Sequence, residues 1–233
     1  MAKTKANATT DLTPAKVDKR IAVGDATRKK ILARAVAIAG STGFASLTIG
    51  TLAQASGLSK SSLFTHFATR KDLVIATLDA AYEEFDREVL DACRASPPSL
   101  MMRVFLRRYF EYLNNRPKSH ACIITSSAFE FDADDEGVRE RVVQLIERRR
   151  AVMRDLLHAA RDANVISGTN AELEQQLFDY ESLMVGFVYR YQLEPTEEVF
   201  ARLVAGVRRL FASPSMAQAR GKTASRRKVR AAR

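Results

Sequence analysis

Gly57 separates two apolar-patterned stretches that are each too short to fold alone. IGTLAQAS precedes it and KSSLFTHF follows, with only Leu58 and Ser59 left to make the turn. Helices under about 12 residues are marginal in water, so each must be held by packing on the other and on a third element. The punctuation fits: Thr48 is placed to cap the first helix, Gly57 to end it in the left-handed region, and Ser59 to cap the second. Two short helices joined by a tight Gly-containing turn form the helix-turn-helix signature. Leu52, Ala53, Leu58, Leu63 and Phe67 are the inward-facing residues that fix the angle between them. In such a motif the start of the second helix faces base edges in the major groove. That explains why one stretch combines small hydroxyls, two Phe, a His and cations: it needs a core face and a DNA face.

Helical periodicity runs through the rest of the chain, and strand-type alternation is almost absent. Ile31, Leu32, Ala35, Ile38 and Ala39 recur at helical spacing, so the first helix is expected from about Thr27 to Ser41, ending at Gly43. Leu73, Val74, Thr77, Leu78, Ala81, Tyr82 and Phe85 mark a helix expected from Arg70 to about Arg94. A long helix follows from Val138 to Leu157, with Arg148, Arg149 and Arg150 bunched midway and read as a solvated face with Glu140 and Glu147. Start signals agree with this: Ser96 before Pro97, Thr69-x-x-Asp72, Thr169-x-x-Glu172, and Pro195 ahead of Thr196, Glu197 and Glu198. DADDEG, ending at Gly137, lacks the spacing of a calcium loop and reads as a helix-starting turn. About nine helices and no sheet are predicted, an all-α fold.

Charge is concentrated at the ends. The net charge is +10, yet residues 1–30 hold eight Lys/Arg against three Asp and residues 215–233 hold seven with no acid, leaving −2 for everything between. Both ends are poor in large apolar residues, so they read as solvated basic tails able to add sequence-independent attraction to phosphates. No apolar run is long enough to span a membrane and no secretory signal opens the chain. Cys93 and Cys122 are too few for a disulfide framework and not at metal-ligand spacing. A cytoplasmic, reduced setting is expected, with no metal and no cofactor.

From Thr27 to Leu78 the chain closely resembles the TetR family of one-component bacterial repressors. The likeness rests on a first helix ending in Gly43-Phe44, then on Thr48, Leu52-Ala53, Ser56-Gly57-Leu58-Ser59, Ser61-Ser62, Leu63-Phe64-Thr65-His66-Phe67, Arg70 and Leu73. Weaker likeness extends to SHACIITSSAFEFDAD and the charged helix after it. Between the basic tails read at 1–25 and 214–233, the resemblance implies a three-helix helix-turn-helix DNA-binding domain (26–72) and a helical ligand-binding and dimerisation domain (73–213). It implies Thr48, Ser59, Lys60, Ser61, Ser62, Phe64, Thr65, His66 and Arg70 as the DNA-binding set. Phe64 stands where the family usually has Tyr, so a phosphate hydrogen bond is lost, and Arg70 replaces Lys while keeping the charge. Gly50 stands where a longer polar residue often touches DNA.

The implied function is a homodimeric repressor on an inverted-repeat operator of double-stranded DNA, relieved by a small-molecule effector. Aromatic, Met and Cys residues in the larger domain suggest Met102, Phe105, Tyr109, Tyr112, Cys122, Phe129 and Tyr180 as pocket lining. For the dimer, the last two helices offer apolar stripes at Leu173, Leu177, Tyr180, Met184, Phe187 and Val188, and at Val199, Phe200, Leu203, Val207, Leu210 and Phe211. Two readings compete. A sequence-tolerant DNA-compacting protein would rely on the tails, and a helical enzyme with an incidental helix-turn-helix would need a catalytic constellation that isolated His120 and His158 do not supply.

Overall fold

The computed structural model describes residues 14–116, 122–131 and 135–211, with side chains described from Gly24 onward except at position 136. Residues 1–13, His120, Asp132 to Asp134 and the C-terminal basic segment from 212 lie outside these. Among the described residues the fold is helical throughout, and no helix is long and apolar enough to cross a membrane.

Helix α1 spans Pro14–Thr42, starting well ahead of the expected Thr27. The segment read as a solvated tail up to residue 25 is therefore helical from Pro14 on. The physical reason is local: Pro suits a first helical position, and the following Ala, Lys and Arg are good helix formers that outweigh the roughly 1 kcal/mol penalty of Gly24. Ile31, Ala35 and Ala39 then bury one face. A 3₁₀ turn at Phe44–Ser46 leads into α2 (Ile49–Ser56) and α3 (Lys60–Phe64). Gly57 ends α2 at φ +67°, a left-handed conformation that a side chain would strain.

Helix α4 (Arg70–Phe85) continues without a break through a π-helical turn, Asp86–Leu90, into α5 (Asp91–Arg94). The expected rod from Arg70 to Arg94 is thus present with a π turn inside it. Helix α6 spans Met101–Asn114. It starts four residues after the expected Pro97, because Pro97 to Leu100 close a turn of their own and the Ser96 hydroxyl bonds back to Cys93 O at 2.8 Å instead of capping forward. A short α7 (Ile123–Ser127), the long α8 (Glu136–Asp162), and the pair α9 (Asn170–Leu193) and α10 (Glu197–Leu210) complete the chain. Counting α4 and α5 as one rod gives the nine expected among the described residues.

Apart from Ser96, the expected caps are in place. Thr69 with Asp72 and Thr169 with Glu172 form reciprocal capping boxes, and Thr196 caps α10. Each such cap contributes about 1 kcal/mol. One continuous core runs from Ile31 and Leu52 through Leu78 and Tyr109 to Leu177 and Val207, so α4 carries buried residues shared by the N-terminal helices and the larger bundle.

Candidate nucleic-acid interface and effector region

Helix α3 is held from beneath and capped at its start. Leu52, Leu63 and Phe67 are buried against α1, with Leu58 half-buried beside them. Burying each such side chain contributes about 1.5–3 kcal/mol. Ser59 Oγ accepts the Ser62 N–H at 3.1 Å and pairs with Ser61 Oγ at 2.9 Å. The opposite face, Lys60, Ser61, Phe64 and Thr65, is exposed, and Phe64 presents a ring 53% open to solvent. A fixed, cationic, partly apolar face on a rigid short helix is what the major groove accepts. Lys60 runs beside Gly50, where its Cε would sit 3.8 Å from any added Cβ. Gly50 therefore leaves the lysine stem room.

The other expected DNA contacts divide. Thr48 Oγ1 accepts the Thr51 N–H at 3.0 Å, so its hydroxyl caps α2. Thr65 Oγ1 donates to Ser62 O at 2.7 Å. Arg70 does not extend as an unattached phosphate partner: its guanidinium donates to Phe44 O at 2.9 Å and Leu47 O at 3.3 Å, supplying acceptors of the 3₁₀ turn with a donor. The preference for Arg over Lys at that place follows from this forked contact. His66 is half-buried against the Phe67 ring, and its carbonyl accepts from Arg28 at 2.9 Å. Arg28 also stacks over Phe67 at 4.7 Å, tying α1 to the end of α3. Sequence reading missed Arg28, because its partner lies 38 residues away.

In the larger domain, five of the seven expected lining residues gather in one place. Phe105, Tyr109, Tyr112, Cys122 and Tyr180 are buried, and Tyr109 stacks on Phe105 and Tyr112 while meeting Phe85 and Phe187 edge-on. Met102 and Phe129 stand apart. Met102 lines an apolar cavity of about 490 Å³ between α6, α10 and the end of α8, with Leu106, Phe200 and Val204 among its walls and Arg103 and Arg208 beside them. Phe129 is 75% exposed. Burial pushes the phenols of Tyr109, Tyr112 and Tyr180 well up and the Cys93 thiol up to about 11, so all four stay protonated near neutrality.

The apolar stripes expected to form the dimer prove mostly internal. Leu173, Leu177, Tyr180, Met184, Phe187 and Val188 are buried within the protomer, as are Leu203 and Val207, while Val199, Phe200, Leu210 and Phe211 pack partly buried against the same core. A different face of α9 leaves apolar groups in solvent: Phe178, Val185, Tyr189 and Leu193, at 62, 39, 64 and 63% exposure. Phe129 adjoins Val185 and Tyr189 across a shared cleft. The arginine triplet also departs from a uniform solvated face. Arg148 lies over the Tyr82 ring, Arg149 turns toward α7, and Arg150 pairs with Glu181.

One contact links the two regions directly. Glu130, just after α7, accepts the Phe44 N–H at 2.7 Å, and the Phe131 ring packs on Phe44 at 5.3 Å. The 3₁₀ turn that feeds α2 is thus gripped by Arg70 at its carbonyls and by Glu130 at its amide.

The sequence matches two family models, one described as bacterial regulatory proteins of the tetR family over residues 31–77 and one as the tetracyclin repressor-like C-terminal domain over residues 101–207. No curated protein matches the chain. Among solved structures, a TetR-family transcriptional regulator from Streptomyces coelicolor aligns with TM-score 0.69 at 21% identity over 81% of this chain and 95% of its own. A TetR transcriptional regulator from Chloroflexus aurantiacus aligns with TM-score 0.66 at 22% identity over 83% and 96%. AibR, solved in complex with isovaleryl coenzyme A and operator DNA, aligns with TM-score 0.62 at 14% identity over 79% and 98%.

Proposed function

Because the chain belongs to the TetR family of bacterial regulatory proteins, we propose that it is a dimeric, ligand-responsive repressor that reads an inverted-repeat operator through α3 of each protomer. The observation that carries this reading is the rigid α3 with its exposed face of Lys60, Ser61, Phe64 and Thr65. Residues 26–72 serve as the DNA-binding domain and 73–213 as the ligand-binding and dimerisation domain. Lys60 reaches a base acceptor or phosphate, Ser61 and Thr65 approach base edges, and Phe64 offers apolar contact such as a thymine methyl. Ser59, Ser62, Thr48 and Arg70 act mainly by holding α2 and α3 in place, and His66 sits at the end of that face. The basic ends add sequence-independent attraction. The protein works in the cytoplasm by binding and release, with no chemistry on a substrate.

Dimerisation uses the exposed α9 face, Phe178, Val185, Tyr189 and Leu193, against the same face of a second copy. A two-fold dimer presents two copies of α3 to half-sites about 34–36 Å apart. An effector that alters the path of α4 changes that spacing. By linkage it binds the DNA-free form more tightly by the factor it weakens DNA binding, typically about 1–3 kcal/mol.

The test compares operator and random duplexes at physiological salt. Operator should bind at least about 10³-fold more tightly. Lys60→Ala should cost about 1–3 kcal/mol and relax preference at one position of each half-site. Affinities within about tenfold of each other for the two duplexes would instead favour the tail-driven compacting protein.

A further inference from the structure

Arg149 is the unmatched member of its triplet. Arg148 lies 4.7 Å above the Tyr82 ring and 3.9 Å from Asp86, and Arg150 is held by Glu181 at 2.8–3.0 Å. Arg149, half-buried, donates only to Thr125 Oγ1 at 3.0 Å and Cys122 Sγ at 3.7 Å. Both partners are neutral and buried, and among the described residues no carboxylate lies within ion-pairing distance of this guanidinium. Its remaining donors are not buried without a partner, so they stay open to solvent and to an incoming anion.

The surroundings supply the complementary half of an anion site. The Tyr109 hydroxyl is fully buried and has no hydrogen-bond partner, and the Tyr82 hydroxyl is likewise unpartnered. The Arg149 charge acts on Tyr82, Tyr109 and Tyr180 together, opposing the upward push of burial on each phenol. Arg149, bonded to Cys122 and Thr125 at the start of α7, and the orphaned Tyr109 hydroxyl belong to the same buried region, which also holds the rings of Phe85, Phe105 and Tyr180. A cation with neutral donors at one end and aromatic walls at the other matches a molecule with a carboxylate on a planar or apolar body.

We propose that Arg149 anchors the carboxylate of an aromatic or apolar acid, with the Tyr109 hydroxyl donating to the same anion, and that this acid is the effector. The proposal rests on the repressor reading and names the effector's class. Binding parts the packed rings and takes Arg149 away from Thr125 and Cys122. Those two residues fix α7, and α7 runs directly into Glu130 and Phe131, which hold Phe44 in the turn before α2. Loosening α7 therefore loosens the support of α2 and α3. This route reaches the DNA-facing helices beside α4 and independently of it.

The experiment uses the full-length protein and measures thermal denaturation and operator binding with benzoate, phenylacetate and 4-hydroxycinnamate at millimolar concentration, each against its primary amide. At least one carboxylate should raise the melting midpoint saturably and weaken operator binding, while its amide does neither. Arg149→Met should weaken operator binding before any acid is added, since Thr125 and Cys122 lose their partner, and should lose the midpoint response to acid; Arg149→Lys should keep part of that response, and Tyr109→Phe should weaken it severalfold. Equal responses to acid and amide, an undiminished response in Arg149→Met, or no response to any of the three acids overturns the proposal. If wild type fails to distinguish operator from random duplex while a carboxylate still raises the midpoint through Arg149, the repressor reading falls and the anion site stands.

Discussion

Phe44→Ala should lower the unfolding free energy by about 3–5 kcal/mol, the range for emptying a core aromatic position. The ring is 1% exposed, packs on Phe131, and sits in the turn that carries the chain from α1 to α2. Its backbone bonds to Glu130 and Arg70 can persist in the variant, so the loss comes from the cavity and not from orphaned polar groups. Operator binding should fall as well, at temperatures where the larger bundle is still folded, because the variant loosens the seat of α2 and α3 first. Chemical denaturation together with operator titration at several temperatures checks both. A stability loss under about 1 kcal/mol would mean that the turn closes over the gap and does not orient the short helices.

Tyr189→Arg should split the dimer without unfolding the protomer. The side chain is 64% exposed in the single chain, so its replacement empties no cavity within the protomer. In a two-fold dimer through α9, each copy would bring its new cation up to the same apolar patch of its mate, where the cost is desolvation and like-charge repulsion. Two linked half-site interactions raise affinity about 10²–10⁴-fold over one. Operator affinity should therefore drop by at least about a hundredfold while α3 is untouched. Sedimentation should show a monomer with wild-type helicity. A variant that remains dimeric at micromolar concentration would move the interface off this face.

How legible these features were in the sequence depends on the range of the interactions involved. Thr48, Ser59 and Thr69 announce helix starts because each bonds three residues ahead, and such contacts survive any tertiary arrangement. The inward set Leu52, Leu63 and Phe67 is legible because period and turn together leave only one buried face. The α9 stripe misled for a related reason. Periodicity identifies Leu173, Leu177 and Met184 as buried, but does not say whether by the chain's own core or by a second copy. The exposed set lies roughly 140° round the helix at about 100° per residue. Charges were the least legible. Arg28, Arg70 and Arg149 look alike in sequence, and only contacts 38, 23 and 24 residues away separate a tie between helices, a brace on a turn and an unmatched cation.

The π-helical turn inside the α4–α5 rod bears on how the gene can change length. Its Asp91 N–H reaches back five residues to Asp86 O, so the turn holds one residue more than an α-helical turn needs. At about 100° per residue, a plain α-helix through this stretch would leave Val89 near the line of Leu78, Ala81 and Phe85 but turn Cys93 and, further still, Leu90 away from it. The bulge keeps all six buried. Excising the exposed Arg87 codon would thus restore a regular helix with both flanks still facing the core. The same single-codon loss a few residues earlier, between Leu73 and Leu78, would rotate everything after it out of register. This helix has one place at which its reading of the core tolerates a missing residue, and that place lies beside Tyr82 and Asp86.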